Sequence, residues 1–467
     1  MLNKRRSKIF VLFLFTFSIV SAQSIDTIGF KERDFLRQLL QNSPTAQNSQ
    51  LFMDMQDAEY REARAAFEPK LAGDFGAKQF DSKEYYNKFQ SGLKVQTPFG
   101  INVNGGYENN NGQFLNPENN VPAQGLAYVG IEVPLGSGLF TDSDRALVKQ
   151  RKVERDAASL VFNLEMNDYT LEAGTVFWQW YGEILKLELS QEAVRRATNR
   201  FNFVKSKNRI GEAAGIDTLE SFINLQNRQN YNYDIQVKWF KISSYLKNYI
   251  WDSTAINKPV APIADREYDA LVLDTFYNQE LLAQHPLLLM LEVDSTVNTI
   301  DYRLAKEFLK PQVDLALKLQ EAGNELGEGS YDPANNNFVG FNIYMPLLMR
   351  KQRAKMRQLE YENDMIANKR SELEVKLNNN INISQTNSST LKLNMEMLRV
   401  ASANYKALLD AEITKFRLGE SSVFMVNSRE LKWIQAREKY IKAYVDFRIE
   451  ILKYYHSLGV LNQLVLE

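Results

Sequence analysis

Two histidines, no cysteine and a scatter of carboxylates are what this 467-residue chain offers for metal binding or for proton transfer near neutral pH. His285 precedes Pro286 at a predicted helix start. His456 lies in the last long helical stretch, near Gly459. Each stands alone, with no second ligand at metal spacing and no nucleophile beside it. The missing cysteines exclude a disulfide framework, a thiolate metal site and a lipid-bearing N-terminal cysteine. No Gly-rich phosphate loop or serine-nucleophile motif occurs. Asn387-Ser388-Ser389 fits a glycosylation acceptor, but it falls inside a helical stretch and reads as chance. Acidic residues on predicted helices read as solvated faces. These observations predict no catalytic residue, no metal and no cofactor, and hence not an enzyme. Fifty-six basic residues against 57 acidic ones leave no basic excess for nucleic acid.

What does recur is a turn. KNRIGEAAGI (207–216) is echoed by KFRLGESSVF (415–424), with Lys207, Arg209, Gly211 and Glu212 matching Lys415, Arg417, Gly419 and Glu420. Further blocks repeat at constant offsets. Pro44, Tyr60, Arg61, Ala63 and Pro69 match Pro286, Tyr302, Arg303, Ala305 and Pro311; Ile131, Pro134 and Leu135 match Ile343, Pro346 and Leu347. Offsets that hold within a block and shift between blocks are the trace of a duplicated unit with loop insertions.

Each unit reads alike. A helix opens on Pro44 or Pro286, where proline suits the first helical position. A strand follows, clearest where Val313, Leu315, Leu317 and Leu319 alternate with Asp314, Ala316, Lys318 and Gln320. After a polar loop (323–337 in the second unit), the return strand 338–345 alternates again. In the first unit Ala127, Val129, Ile131 and Val133 do the same. The first unit also carries a strand-like pair at 84–108, which fits either the sheet or a surface hairpin. Stretches 142–208 and 350–416 then run without proline, interrupted by Gly174 and Gly182 as weak points. At about 1.5 Å per residue each extends about 100 Å, the length of coiled-coil or helical-barrel material. The Gly-Glu turn ends it. Asp217-Thr218 and Ser421-Ser422 offer caps for return helices 219–249 and 426–458. The expected domains are a first repeat over 23–250, a linker over 251–280 and a second repeat over 281–467.

Lys4, Arg5, Arg6 and Lys8 followed by the apolar run 9–20 and Ser21-Ala22-Gln23 predict a signal peptide over 1–22. The rival is a membrane anchor, but an apolar run of about 12 residues is short of the roughly 20 that a span needs. Strands with one apolar face and open edges are not stable alone. They read either as a soluble β-sandwich core or as an oligomeric β-barrel, apolar toward lipid, with Phe75, Phe80, Phe89, Tyr128, Phe140, Phe338, Phe341 and Tyr344 among its flanking aromatics.

The duplication, the Pro-opened helices, the junctions Val133-Pro134-Leu135 and Met345-Pro346-Leu347, and the stretch RLGESSVFMVNSRELKWIQAREKYIKAYVDFRIEILKYYHSLG resemble the TolC-like outer-membrane factor family over nearly the whole chain after residue 22. The resemblance implies a mainly helical fold with membrane β-structure: duplicated long helical hairpins forming a periplasmic α-barrel, and β-hairpins contributing to a trimeric outer-membrane β-barrel. It implies a homotrimer in outer-membrane lipid that extends into the periplasm. Its role would be the exit duct of a tripartite efflux pump or type I secretion system, with a periplasmic adaptor and an inner-membrane transporter as partners. By resemblance Arg209, Ile210, Gly211, Glu212, Arg417, Leu418, Gly419 and Glu420 form adaptor-docking turns. Asp217 and Phe416 match positions that help to close the tunnel, and Glu220 is a further constriction candidate. Where some members place two acids past the second turn, this chain has Met425 and Ser428. A second acidic ring is therefore not implied. The alternatives are a trimeric structural or adhesive outer-membrane protein and a periplasmic adaptor; the two long hairpins and duplicated turns disfavour both.

Overall fold

The computed structural model describes residues 28–251, 260–262, 282–323, 332 and 334–466. The signal-peptide stretch, most of the 251–280 linker and most of the 323–337 loop lie outside these residues.

A short parallel pair, β1 (Ile28–Phe30) with β6 (Val260–Pro262), ties the start of the chain to the linker. Helix α1 (Glu32–Asn42) leads into α2 (Pro44–Arg64), where the Ser43 hydroxyl accepts from the Ala46 N–H at 3.1 Å. The equivalent α5 (Pro286–Glu307) is capped by a histidine: the Leu287 N–H donates to His285 Nδ1 at 3.2 Å. Both helices use proline at the first turn, where its missing N–H costs nothing.

Six antiparallel strands follow from these helices: β2 (Lys70–Phe80), β3 (Lys83–Gln96), β4 (Asn102–Asn111), β5 (Leu126–Pro134), β7 (Gln312–Ala322) and β8 (Asn337–Tyr344). They pair in that order, so β5 of the first repeat joins β7 of the second. The strand-like pair expected near 84–108 is part of this sheet, as β3 and β4. Its register aligns the side chains across the whole sheet. Leu71, Leu93, Gly105, Val129 and Leu319 share one row, and Val95, Val103, Ile131, Leu317 and Val339 share the next. The other face carries Lys94, Asn104 and Lys318 in one row and Gln96, Asn102 and Glu132 in another. Lys94 pairs with Glu132 at 3.2 Å on that polar face. The flanking aromatics divide between the faces: Phe75, Phe89 and Phe341 lie on the apolar one. Tyr128, Phe338 and Tyr344 lie on the polar one, where Lys318 stands 4.7 Å over the Tyr128 ring.

Two long hairpins carry the rest of the chain: α3 (Ser143–Arg209) with α4 (Gly215–Leu246), and α6 (Arg350–Arg417) with α7 (Val423–Ser457). The short α8 (Leu461–Leu466) closes the chain. Side by side the long helices run α4–α3–α7–α6; nearer the sheet the order is α2–α3–α5–α6. One apolar core joins Phe35, Leu36 and Leu39 of α1 to Phe177, Trp178 and Trp180 of α3, Leu452 of α7 and Leu461 of α8. A second runs toward the turns through Leu189, Leu409, Val426, Trp433 and Ile441. Gly174 and Gly182 are not weak points. A Cβ at Gly174 would stand 2.5 Å from Leu452 Cδ1, and one at Gly182 2.7 Å from Val445 Cγ2, so these glycines let α3 and α7 approach closely.

Candidate functional site

The two repeated turns lie at the ends of α3 and α6, about 100 Å from the sheet at helical rise. They have the same geometry. Gly211 and Gly419 both have φ of +82°, the left-handed region that glycine enters without penalty. The Gly211 N–H donates to the Asn208 carbonyl at 3.0 Å and the Glu212 N–H to Lys207 at 2.9 Å. Gly419 to Phe416 and Glu420 to Lys415 repeat the pattern at 3.1 and 2.9 Å. This double closure satisfies the last carbonyls of each helix. A Cβ at either glycine would meet nothing within 4 Å. The turn surfaces are open, and Ile210 and Leu418 are 68% and 71% exposed. Arg209, Glu212, Arg417 and Glu420 flank them as exposed charges.

Past the turns the repeats diverge. Ser422 caps α7, accepting from the Met425 N–H at 3.3 Å, and Ser421 donates to Glu412 at 2.5 Å. The expected cap from Asp217-Thr218 does not form. Helix α4 starts earlier, at Gly215, behind Ala214, which has no capping side chain. Asp217 therefore sits inside the first turn, where its charge still favours the helix N-terminus. Glu220 accepts from Asn427 Nδ2 at 3.2 Å, which links the two return helices. Phe416 meets Phe203 edge-on at 5.8 Å, which links the two outgoing ones. The three constriction candidates are thus held by different contacts and do not form one cluster.

The strongest polar site between the hairpins was not foreseen. Glu430 of α7 is fully buried and faces Arg200 of α3 at 2.6 Å and Arg228 of α4 at 3.6 Å. Asn224 accepts from Arg200 at 2.9 Å. Burial pushes the Arg228 guanidinium below its ordinary value, and Glu430 opposes that shift. Reading helical acids as solvated faces fails here. The sequence did hold a signal: Glu430 falls on the apolar stripe of Val423, Val426, Trp433 and Ile441. Glu32 is a second buried acid. Burial raises its carboxyl pKa, while Arg448 and a 2.5 Å hydrogen bond from Trp178 Nε1 work against the rise.

The histidines are not isolated either. His285 is buried beside Gly459, burial and the neighbouring His456 lower its pKa to about 4, and His456 Nε2 lies 2.6 Å from Asp168 Oδ1. Among the described residues no group of three or more His, Asp or Glu is placed to hold a metal ion, and no helix is long and apolar enough to cross a membrane.

No protein-family model matches the sequence, and no curated protein matches it. Solved structures do match along nearly their full length. The Campylobacter jejuni CmeC outer membrane channel shares 11% identity at a TM-score of 0.67, covering 98% of this chain and 94% of its own. CusC, solved in a study of folding and transmembrane channel formation, shares 12% at 0.68, with 95% of each chain covered. The open-state Neisseria gonorrhoeae MtrE outer membrane channel shares 12% at 0.64, covering 94% and 93%. The fold is that of a TolC-like outer-membrane channel. At such low identity the likeness carries the TolC-like architecture and no residue role, so the turns must be judged by their own geometry.

Proposed function

We propose that the protein is the outer-membrane exit duct of a tripartite efflux pump or type I secretion system. It would close as a homotrimer and dock a periplasmic adaptor at its two helical turns. The observation that carries this reading is that every layer of the chain ends open in the same sense. The sheet begins at β2 and ends at β8. The layer beneath it begins at α2 and ends at α6, and the tip layer begins at α4 and ends at α6. A first-repeat element therefore always faces one side and a second-repeat element the other. Such head-to-tail edges are satisfied when copies close a ring.

The apolar sheet face supports a lipid setting. Val339, Phe341 and Ile343 are 64%, 65% and 62% exposed, and the sheet repeats this pattern from Leu71 onward. A continuous apolar patch of this kind is a liability in water and the natural outer wall of a membrane barrel. The strands, 8 to 14 residues long, suit a tilted crossing that needs about 9–11. The tips support docking: identical, open, glycine-flat turns with an exposed Ile210 or Leu418 leave room for another protein to approach the backbone.

Cross-linking in purified outer membranes tests the reading. A trimer in that fraction is the expected result, and a soluble monomer would overturn it. Docking is tested separately. Replacing Gly211 and Gly419 together with valine forces a left-handed residue to carry a branched Cβ, about 1–2 kcal/mol at each turn. The trimer should survive and export should stop; continued export would remove the turns from the docking surface.

A further inference from the structure

The two repeats contribute unequally to the sheet. In the second repeat β7 pairs directly with β8, whereas in the first β3 and β4 stand between their counterparts β2 and β5. This insert is built into the wall. β3 pairs with β2 residue by residue from Lys94 to Tyr86 and, past a bulge, on to Lys83; it pairs with β4 from Asn87 to Gln96, and β4 pairs with β5 from Asn102 to Glu108. The Tyr128 hydroxyl of β5 reaches across both inserted strands, lying 3.2 Å from where a Cβ of Gly92 would stand and 2.7 Å from that of Gly106. The β3–β4 connection rests on the start of α3: Gln96 donates to Asp144 at 2.8 Å, and the Arg145 guanidinium fills the space beside Gly100. Insert residues also keep the two-faced pattern, with Phe89, Leu93, Val95 and Val103 on the apolar face and Gln90, Lys94, Asn102 and Asn104 on the polar one.

We propose that this inserted hairpin widens the pore, so that three copies close an eighteen-stranded barrel with a broad, polar, weakly selective mouth. The inference rests on the exit-duct reading above. The free edges accept a second copy of this chain without strain in polarity. β8 runs toward the helices and β2 away from them, so β8 of one copy and β2 of the next meet antiparallel. An even number of strands per copy keeps the whole ring antiparallel. Apolar residues continue across that seam, from Val339 and Phe341 on β8 to Leu71 and Phe75 on β2.

Strands spaced about 4.8 Å and tilted about 40° give a ring about 36 Å across between Cα atoms for eighteen strands, against about 24 Å for the twelve that the duplicated hairpins alone would supply. The cross-section is then about twice as large, in the range where barrels enclose an aqueous channel rather than a packed core. Within the regular register of the sheet the polar face carries Lys70, Lys78, Lys88, Lys94 and Lys318 against Asp74, Glu108, Glu132 and Asp314, so the wall carries little net charge to sort cargo. Selection by size would then fall to the helical tunnel.

Electron cryo-microscopy of the oligomer extracted from outer membranes measures copy number and ring width together. Three copies around a ring of about 36 Å are expected. Three copies around a ring near 24 Å would overturn this inference and leave the duct reading intact, whereas a particle with no ring would end both. A second test probes the mouth alone. Lys318→Cys places the chain's single thiol on the polar face, reachable from the cell exterior by maleimide-polyethylene glycols of graded size. Deleting residues 83–111 should lower the largest reagent that reacts. An unchanged cut-off in a deleted protein that still trimerises would show that the hairpin does not set the width.

Discussion

Helices α3 and α6 are matching elements of a duplicated unit, with 67 and 68 residues, yet nineteen residues of α3 are buried and seven of α6. Their return helices reverse the contrast: five residues of α4 are buried and fifteen of α7. Duplication has preserved the hairpin and not its environment. Each hairpin commits one helix to the single-chain core, α3 or α7, and leaves the other at an open edge. The open helices are not simply polar. Tyr233, Val237 and Phe240 form an exposed stripe on α4, and Leu393, Met397 and Val400 one on α6, at spacings of four and three. The inner pair fixes the protomer; in the proposed trimer the outer pair would face a neighbour.

The sharpest break of this comparison strikes the inner pair. Glu430→Ala would strand Arg200 and Arg228 in the interior. Removing one member of a buried ion cluster costs about 3–5 kcal/mol. Thermal unfolding followed by circular dichroism should show a large drop in midpoint. An unmoved midpoint would mean that the hairpins are joined by apolar packing alone.

Next comes the sheet face. Phe341→Arg puts a charge on the apolar side of β8, which costs about 2–4 kcal/mol at mid-membrane depth, whereas Asn342→Arg one residue later falls on the polar side. The first should empty the outer-membrane fraction of assembled protein and the second should not. Equal behaviour of the two would place the sheet outside lipid. For the outer helices, Phe240→Asp removes a side chain whose burial against a neighbour is worth about 1.5–3 kcal/mol. Cross-linked oligomer should decrease while the helix content of the single chain holds. A fall in helix content would assign Phe240 to the protomer's own core.

These contrasts also mark what could be read from the sequence. Period-two alternation fixed both faces of β7 and β8 because strand side chains alternate whatever the neighbour. The Gly-Glu turns were legible because ending a long helix in the left-handed conformation calls for glycine locally. What stayed hidden depends on partners far along the chain. Arg200 and Glu430 are 230 residues apart, and nothing near either names the other. The β5–β7 pairing across the repeats and the seating of β3–β4 inside the sheet are likewise long-range choices. Asp217 misled for a local reason: α4 starts two residues earlier, at Gly215, so the expected capping residue lies inside the first turn. The docking role proposed for the turns is an expectation from the sequence resemblance, to which the structure adds their open geometry.

The smallest expected effect lies at the junction of the repeats, where His285 caps α5. Nδ1 accepts the Leu287 N–H, which requires a free lone pair on that nitrogen, and burial beside Gly459 and the neighbouring His456 further disfavour the cation, against a smaller opposing contribution from the Ser457 backbone. The folded imidazole therefore has a pKa of about 4, below its ordinary value of 6.5. Between those values the unfolded chain holds the proton and the folded chain does not, so stability rises with pH across that window and is flat on either side. The protein should lose stability as pH falls from 6.5 toward 4. His285→Asn keeps a capping acceptor without a titrating ring. The difference in melting temperature between the native oligomer and this variant should change through that window and stay constant above it. Parallel curves would mean that the acid sensitivity lies elsewhere in the molecule, and that the histidine cap contributes through geometry alone.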